Sequence, residues 1–252
     1  MKERIEQIKK MTVRILIGNQ PTGTGFVISR EGLIATCFHV VEHIGASSND
    51  QTQITYASPI EVEYNDGKKL PAIIHNSCQN QGFLEAISKD YCILETKPKD
   101  LDLIPLGSFA DACEEANIHL CGYPLGINQP VMSAGMFSTK WTTNGYLKQG
   151  SDREVAWLDI TMNKGNSGGP IVLMGKEPND DKIIGIASFI LNPFASPAEE
   201  LIQIVQTFPG TAILMNVDFK KFATLIGAAL SSNSIGVSGC ISIDYLKSKL
   251  SS

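Results

Sequence analysis

The heptapeptide KGNSGGP, residues 164–170, narrows the folds open to this chain more than any other stretch, because every histidine lies before it. A serine held between glycines suits a nucleophile that must project from a tight turn, since Gly165, Gly168 and Gly169 admit backbone angles and close approaches that a Cβ obstructs. In such a turn the N–H groups of Gly165 and Ser167 can converge beside the hydroxyl. There a carbonyl oxygen becomes negative during acyl transfer, and one such donor is worth roughly 3–4 kcal/mol. The bland alternative is a glycine-rich hairpin loop in a chain that holds 22 glycines.

GNSGG also satisfies the G-x-S-x-G elbow of α/β-hydrolases, but those enzymes carry serine, acid and histidine in that chain order. Here His39, His43, His75 and His119 all precede Ser167. The order that remains is histidine, acid, serine. His39 is expected at the end of a strand reading LIATCFH, and Asp90 at the start of another, DYCILE. Asp100 and Asp102 are rival acids, but they fall in a polar connector.

Around these residues the chain alternates short β-type runs with turns, a pattern that points to barrels or a sandwich. MTVRILIG, GTGFVIS, LIATCFHVV, QITYA, EVEYNDGKKLPAIIHN and YCILET form a first group. NIHLCGYP, MFSTKWTT, VAWLDIT, GPIVLMG, KIIGIASFI and VSGCISI form a second. EVEYNDGKKLPAIIHN reads as a hairpin turning at Asn65-Asp66-Gly67. Helical spacing recurs in PAEELIQIVQTF and in DFKKFATLIGAAL, the latter with Asp218 placed as its N-cap, and a short helix, DYLKSKL, closes the chain.

A second motif competes. HVVEH, residues 39–43, matches the H-x-x-E-H inverted zinc-protease signature. That site needs a helix and a distant third carboxylate, whereas His39 follows a β-type run and the distant window near Ile118–Leu120 holds no carboxylate. Glu42 and His43 therefore read as solvated surface, His75 and His119 as structural, and no metal or organic cofactor is expected.

A formal charge of −5, with 43% hydrophobic and 19% charged residues, argues against a nucleic-acid or anionic-membrane partner. The amino terminus is charged and amphipathic without a secretory core, the longest apolar run is too short to span a bilayer, and the six cysteines form no C-x-x-C pair. A cytoplasmic location is the expectation.

GTGFVIS, IATCFHVV, KDYCILET, LIPLGS, CGYPLG, GMFST, LDITMNKGNSGGPIV, IIGIAS and SGCISIDYLKSKL resemble, in sequence and order, the protease domain of the trypsin-like high-temperature-requirement family. The likeness covers most of residues 12–190 and resumes near 237. It implies an all-β, chymotrypsin-like fold of two six-stranded antiparallel barrels and a His39–Asp90–Ser167 triad of a serine endopeptidase. It further implies an oxyanion hole from Gly165 and Ser167, with Ser188 supporting the buried acid. Residues 1–10 are then an N-terminal helical segment, 11–108 the first barrel with His39 and Asp90, and 109–252 the second with Ser167 and the C-terminal helix. Thr161 and Met162 take the base of the substrate pocket and Ile190 and Gly239 its walls, which predicts a neutral, mainly apolar P1 residue in a protein or peptide substrate.

Three departures limit the carry-over. No substrate-tethering PDZ module follows in this sequence. Asn166 replaces the aspartate that pairs with a freshly cut amino terminus in digestive enzymes. Residues 191–236 replace a short loop beside the pocket, and are either a packed decoration or a lid through which a regulatory protein partner acts. The rival from another class is a latent or catalytically silent protease-fold module that works by binding a partner.

Overall fold

The computed structural model describes residues 1–42, 59–143, 153–190, 200, 202–205, 207, 213–214, 217–231 and 236–250. Helix α1 (Lys2–Met11) leads into six strands: β1 (Thr12–Ile17), β2 (Gln20–Val27), β3 (Leu33–Thr36), β4 (Ile60–Tyr64), β5 (Lys69–Ile74) and β6 (Cys92–Glu95). They close into a barrel in the order β1-β2-β3-β6-β5-β4, every pairing antiparallel. In β4 the alternation is strict: Ile60, Val62 and Tyr64 are buried while Glu61 and Glu63 face outward, as a strand with one solvated face requires. All six residues of β1 are buried, because its outer face lies beneath α1 and against the second barrel.

The second barrel contains β7 (Asn117–Gly122), β8 (Val131–Thr143), β9 (Arg153–Asp159), β10 (Pro170–Leu173) and β11 (Lys182–Ile190). A two-stranded ribbon, β12 (Ile213–Leu214) with β13 (Val217–Asp218), precedes its last strand, β14 (Val237–Ser242). The closed order is β10-β11-β14-β9-β8-β7. The two six-stranded antiparallel barrels agree with the fold that the family resemblance implies.

Two short helices lie in the first barrel's loops, α2 (Phe38–Glu42) and α3 (Phe83–Lys89); later the described residues at 200, 202–205 and 207 are helical, as expected of PAEELIQIVQTF, and α4 (Phe219–Ser231) and α5 (Asp244–Leu250) follow. Asp218 accepts the Lys221 N–H at 3.2 Å, the expected cap of α4. The expected strand QITYA and His43, expected on the surface, lie outside the described residues, as does most of 191–212. Among the described residues no helix is long and apolar enough to cross a membrane.

Two expectations are corrected. His39 does not end a strand: β3 stops at Thr36, and His39 sits in the first turn of α2. Asp90 does not open a strand either. It is the C-cap of α3, at φ 60° and ψ 37°, two residues before β6. The cause is tertiary, since the Phe38 N–H bonds the Asp90 carbonyl and the His39 N–H bonds its carboxylate, so α2 starts on a cap borrowed from another segment.

One apolar cluster runs through both barrels, from Ile8, Met11 and Phe26 to Val172, Ile186 and Leu246. α1 is fastened across this seam by Arg4, whose guanidinium bonds the Asp181 carboxylate (2.8 Å from Nε) and the Gly175 carbonyl (3.0 Å). Asp181 is 2% exposed, so removing its partner strands a buried charge. Arg4→Ala is expected to lower unfolding free energy by about 3 kcal/mol in urea titration; a loss below about 1 kcal/mol contradicts this role.

Candidate active site

The site lies on the seam between the barrels. α2 presents His39, the C-cap of α3 presents Asp90, and the loop before β10 presents Ser167. His39 Nδ1 lies 2.9 Å and 3.0 Å from the two Asp90 carboxylate oxygens. The same carboxylate accepts the His39 backbone N–H at 3.1 Å and the Ser188 hydroxyl, on β11, at 2.6 Å. The structure thus brings His39, Asp90 and Ser188 into one hydrogen-bonded group, with Ser167 bonded to the same strand.

Electrostatics follow from that group. Burial pushes the Asp90 carboxyl up, but the hydrogen bond and charge of His39, with the Ser188 hydroxyl, outweigh it and hold the acid below its ordinary value. Burial pulls His39 down, and the hydrogen bond and charge of Asp90 more than offset this, leaving the imidazole above its ordinary value. The pair fixes Nδ1 as the protonated nitrogen and leaves Nε2 free to accept.

Ser167 follows a turn that only glycine can make. Gly165 has φ +100°, and a Cβ there would sit 2.4 Å from the Tyr123 carbonyl oxygen; Gly168 has φ +89°, with the Thr24 carbonyl 2.0 Å from its would-be Cβ. Thr24, from the first barrel, grips the turn twice: its N–H bonds the Ser167 carbonyl at 2.9 Å and its hydroxyl bonds the Gly165 carbonyl at 2.6 Å. The Lys164 carbonyl accepts the Leu125 N–H at 2.7 Å. The N–H groups of Gly165 and Ser167 have no hydrogen-bond partner among the described residues. The Ser167 hydroxyl bonds the Ser188 carbonyl at 3.5 Å, and no hydrogen bond joins it to His39 among the described residues.

Thr161 is exposed, and Met162, 1% exposed, belongs to the core of the second barrel. Gly239 faces the Phe189 ring, which lies 2.0 Å from the position of its absent Cβ and packs edge-on against Trp157 at 5.3 Å. The backbone of Ile190 pairs with Ser238, and its side chain lies outside those described.

Sequence reasoning missed two supporting residues. Arg153, at the start of β9, donates to the Ser88 and Ile87 carbonyls, the latter at 3.4 Å, and so places a cation on the C-terminal turn that ends in Asp90. Cys37, buried two residues before His39, donates its thiol to the Ala187 carbonyl at 3.2 Å. Neither position carries a sequence signal, although the helix that Arg153 caps is legible in Phe83, Ala86 and Ile87.

The sequence model of the trypsin-like peptidase domain matches residues 23–177. Human serine protease HTRA4 is 27% identical over 192 residues, covering 74% of this chain and 35% of that protein. A probable periplasmic serine endoprotease, DegP-like, from Halomonas elongata is 29% identical over 168 residues, covering 67% of this chain and 29% of that protein. The chain thus spans about a third of the length of the curated relatives it matches. The solved structure of the HtrA-type protease AlgW with decapeptide superposes with TM-score 0.63 over 99% of this chain and 66% of that one, at 15% identity, a likeness of fold.

Replacing Asp90 with Asn removes the charge and leaves burial dominant at His39. The His39 ring, followed by NMR of its C–H resonances, should then titrate at lower pH than in the parent. An equal or higher value contradicts the pairing.

Proposed function

This chain belongs to the trypsin-like peptidase domain family, whose sequence model matches more than half of it, and on that premise we propose that it is a serine endopeptidase working through His39, Asp90 and Ser167. The observation that carries the reading is the ionised, buried Asp90 aimed at His39 Nδ1 beside a serine turn in which two N–H donors have no partner among the described residues.

In the proposed reaction Ser167 Oγ attacks the scissile carbonyl carbon while its proton passes to His39 Nε2. The oxyanion meets the N–H groups of Gly165 and Ser167. Asp90 stabilises the imidazolium, and Ser188 keeps the carboxylate turned toward it. His39 gives the proton to the leaving amine as the C–N bond breaks, and an acyl-enzyme remains on Ser167. Water, deprotonated by the same ring, then attacks the ester and restores the serine. For the starting step the hydroxyl must leave the Ser188 carbonyl and meet His39, and such contacts commonly tighten when substrate binds.

A neutral, apolar P1 residue is the preference we infer. It is supported by the uncharged Thr161, which offers no counter-ion to a basic side chain, and by the half-buried Phe189 ring next to Gly239. The latent form is the second reading, and the hydroxyl's bond to the Ser188 carbonyl favours it. A regulatory partner would then act through 191–236, where Phe222 and Leu225 of α4 are exposed.

Peptide-library digestion by the parent and by Ser167→Ala tests the proposal. The parent should cleave after apolar residues, and turnover should fall on the order of 10⁶-fold in the variant. Because the base must be neutral, kcat/KM should rise with pH through a value above that of ordinary histidine. Cleavage that survives Ser167→Ala overturns the assignment, and a profile dominated by Arg or Lys overturns the pocket.

A further inference from the structure

Among the described residues, one group of histidine, cysteine and carboxylate side chains is compact enough to hold an ion. One donor atom each from Cys37, His39 and Asp90 lies within 4.8 Å of the other two. We propose that the buried edge of the triad is an inhibitory site for a zinc-class divalent cation, bound by Cys37 Sγ, His39 Nδ1 and the Asp90 carboxylate. Binding stands on this geometry alone; its inhibitory consequence rests on the serine-endopeptidase reading.

The donor set is one that zinc selects: a thiolate, an imidazole nitrogen and a carboxylate oxygen. Bonds of about 2.0 Å to nitrogen and oxygen and about 2.3 Å to sulfur place tetrahedral ligand atoms roughly 3.3–3.6 Å apart. His39 Nδ1 and Asp90 Oδ2 are 2.9 Å apart, so the ring needs to retreat by well under an ångström to admit an ion. Cys37 Sγ closes the remaining gap by giving up its bond to the Ala187 carbonyl. Ser188, on Asp90 Oδ2 at 2.6 Å, stays in place and orients the carboxylate, as outer partners of metal ligands do.

Charge explains why a thiol kept protonated by its surroundings would bind. Burial and the Asp90 charge both push the Cys37 thiol up, because a second anion there has no counter-charge. A divalent cation supplies it: with one thiolate, one carboxylate and a neutral imidazole the site sums to zero, so the desolvation penalty on the thiolate is largely removed. The proton balance is definite. The thiol proton leaves to solvent, and the ring proton moves from Nδ1 to Nε2 as Nδ1 takes the metal. An Nε2 that carries a proton cannot accept one from Ser167, and Asp90 no longer faces the ring. The site differs from the one that HVVEH suggests, since it uses neither Glu42 nor His43.

Cobalt(II) tests binding without reference to activity, because a thiolate ligand gives a near-ultraviolet charge-transfer band. The exposed Cys113 is first changed to Ser to remove a competing thiol. Cobalt should then produce the band at one equivalent, and Cys37→Ser, or Cys37→Ala if serine is not tolerated, should abolish it. Zinc should stop peptide hydrolysis by the Cys113→Ser protein, with recovery on chelation. The Cys37 variant, whatever its own turnover, should need at least about tenfold more zinc for half-inhibition. Absence of the band, a band that survives loss of Cys37, or equal zinc sensitivity in the two proteins overturns the site. A band in a protein without peptidase turnover leaves the site standing and sinks the function proposed above.

Discussion

The buried Asp90 carboxylate is the constraint on which the rest of the site depends. An ionised carboxylate away from water costs several kcal/mol unless donors and a cationic partner compensate it. Here the compensation comes from three directions: the backbone N–H that starts α2, the imidazole of His39, and the Ser188 hydroxyl of the second barrel. Satisfying this one acid therefore sets where α2 begins, how the histidine ring is turned and how β11 stands against the first barrel. Arg153 extends the arrangement by holding the turn that delivers Asp90.

The proposed nucleophile is held by the opposite exchange. Ser167 belongs to the second barrel, but Thr24 of the first barrel fixes its turn by bonds to two carbonyls, in a turn whose Gly165 and Ser167 N–H groups have no hydrogen-bond partner among the described residues. Each barrel thus supplies part of the proposed triad and braces the part supplied by the other. The apolar cluster that crosses the seam makes this bracing rigid, and the Arg4–Asp181 pair ties the N-terminal helix over it. A site shared in this way cannot be assembled by either barrel alone, which is consistent with polar groups being engaged so closely at the interface.

Much of this was legible in the sequence because it is written in local chemistry. Strict alternation in IEVEY, the hairpin at Asn65-Asp66-Gly67, the glycines around Ser167 and the placement of all histidines before that serine each follow from short-range rules. The local conformations of His39 and Asp90 were not legible. LIATCFH has strand propensity to its end, yet the chain turns helical at Phe38 because Asp90, 51 residues beyond His39 in sequence, caps it. Asp90 adopts a left-handed angle that its own neighbours do not demand. Gly239 shows the same limit: it reads as part of a pocket wall, and only its pairing across the sheet shows that the Phe189 ring packs against it. Cys37 and Arg153 carry no motif, since what matters about each is the distant carbonyl it meets.

Whether Ser167 is a nucleophile activated by His39 decides the function of this site. Intact-mass analysis after exposure to a fluorophosphonate probe reads this directly, because the probe forms a stable adduct with a serine whose proton is taken by a base and whose oxyanion is supported. One adduct per chain on the parent, and none on Ser167→Ala or His39→Ala, is the predicted result. A parent protein that stays unlabelled, or a Ser167→Ala variant that is labelled equally, would contradict the account.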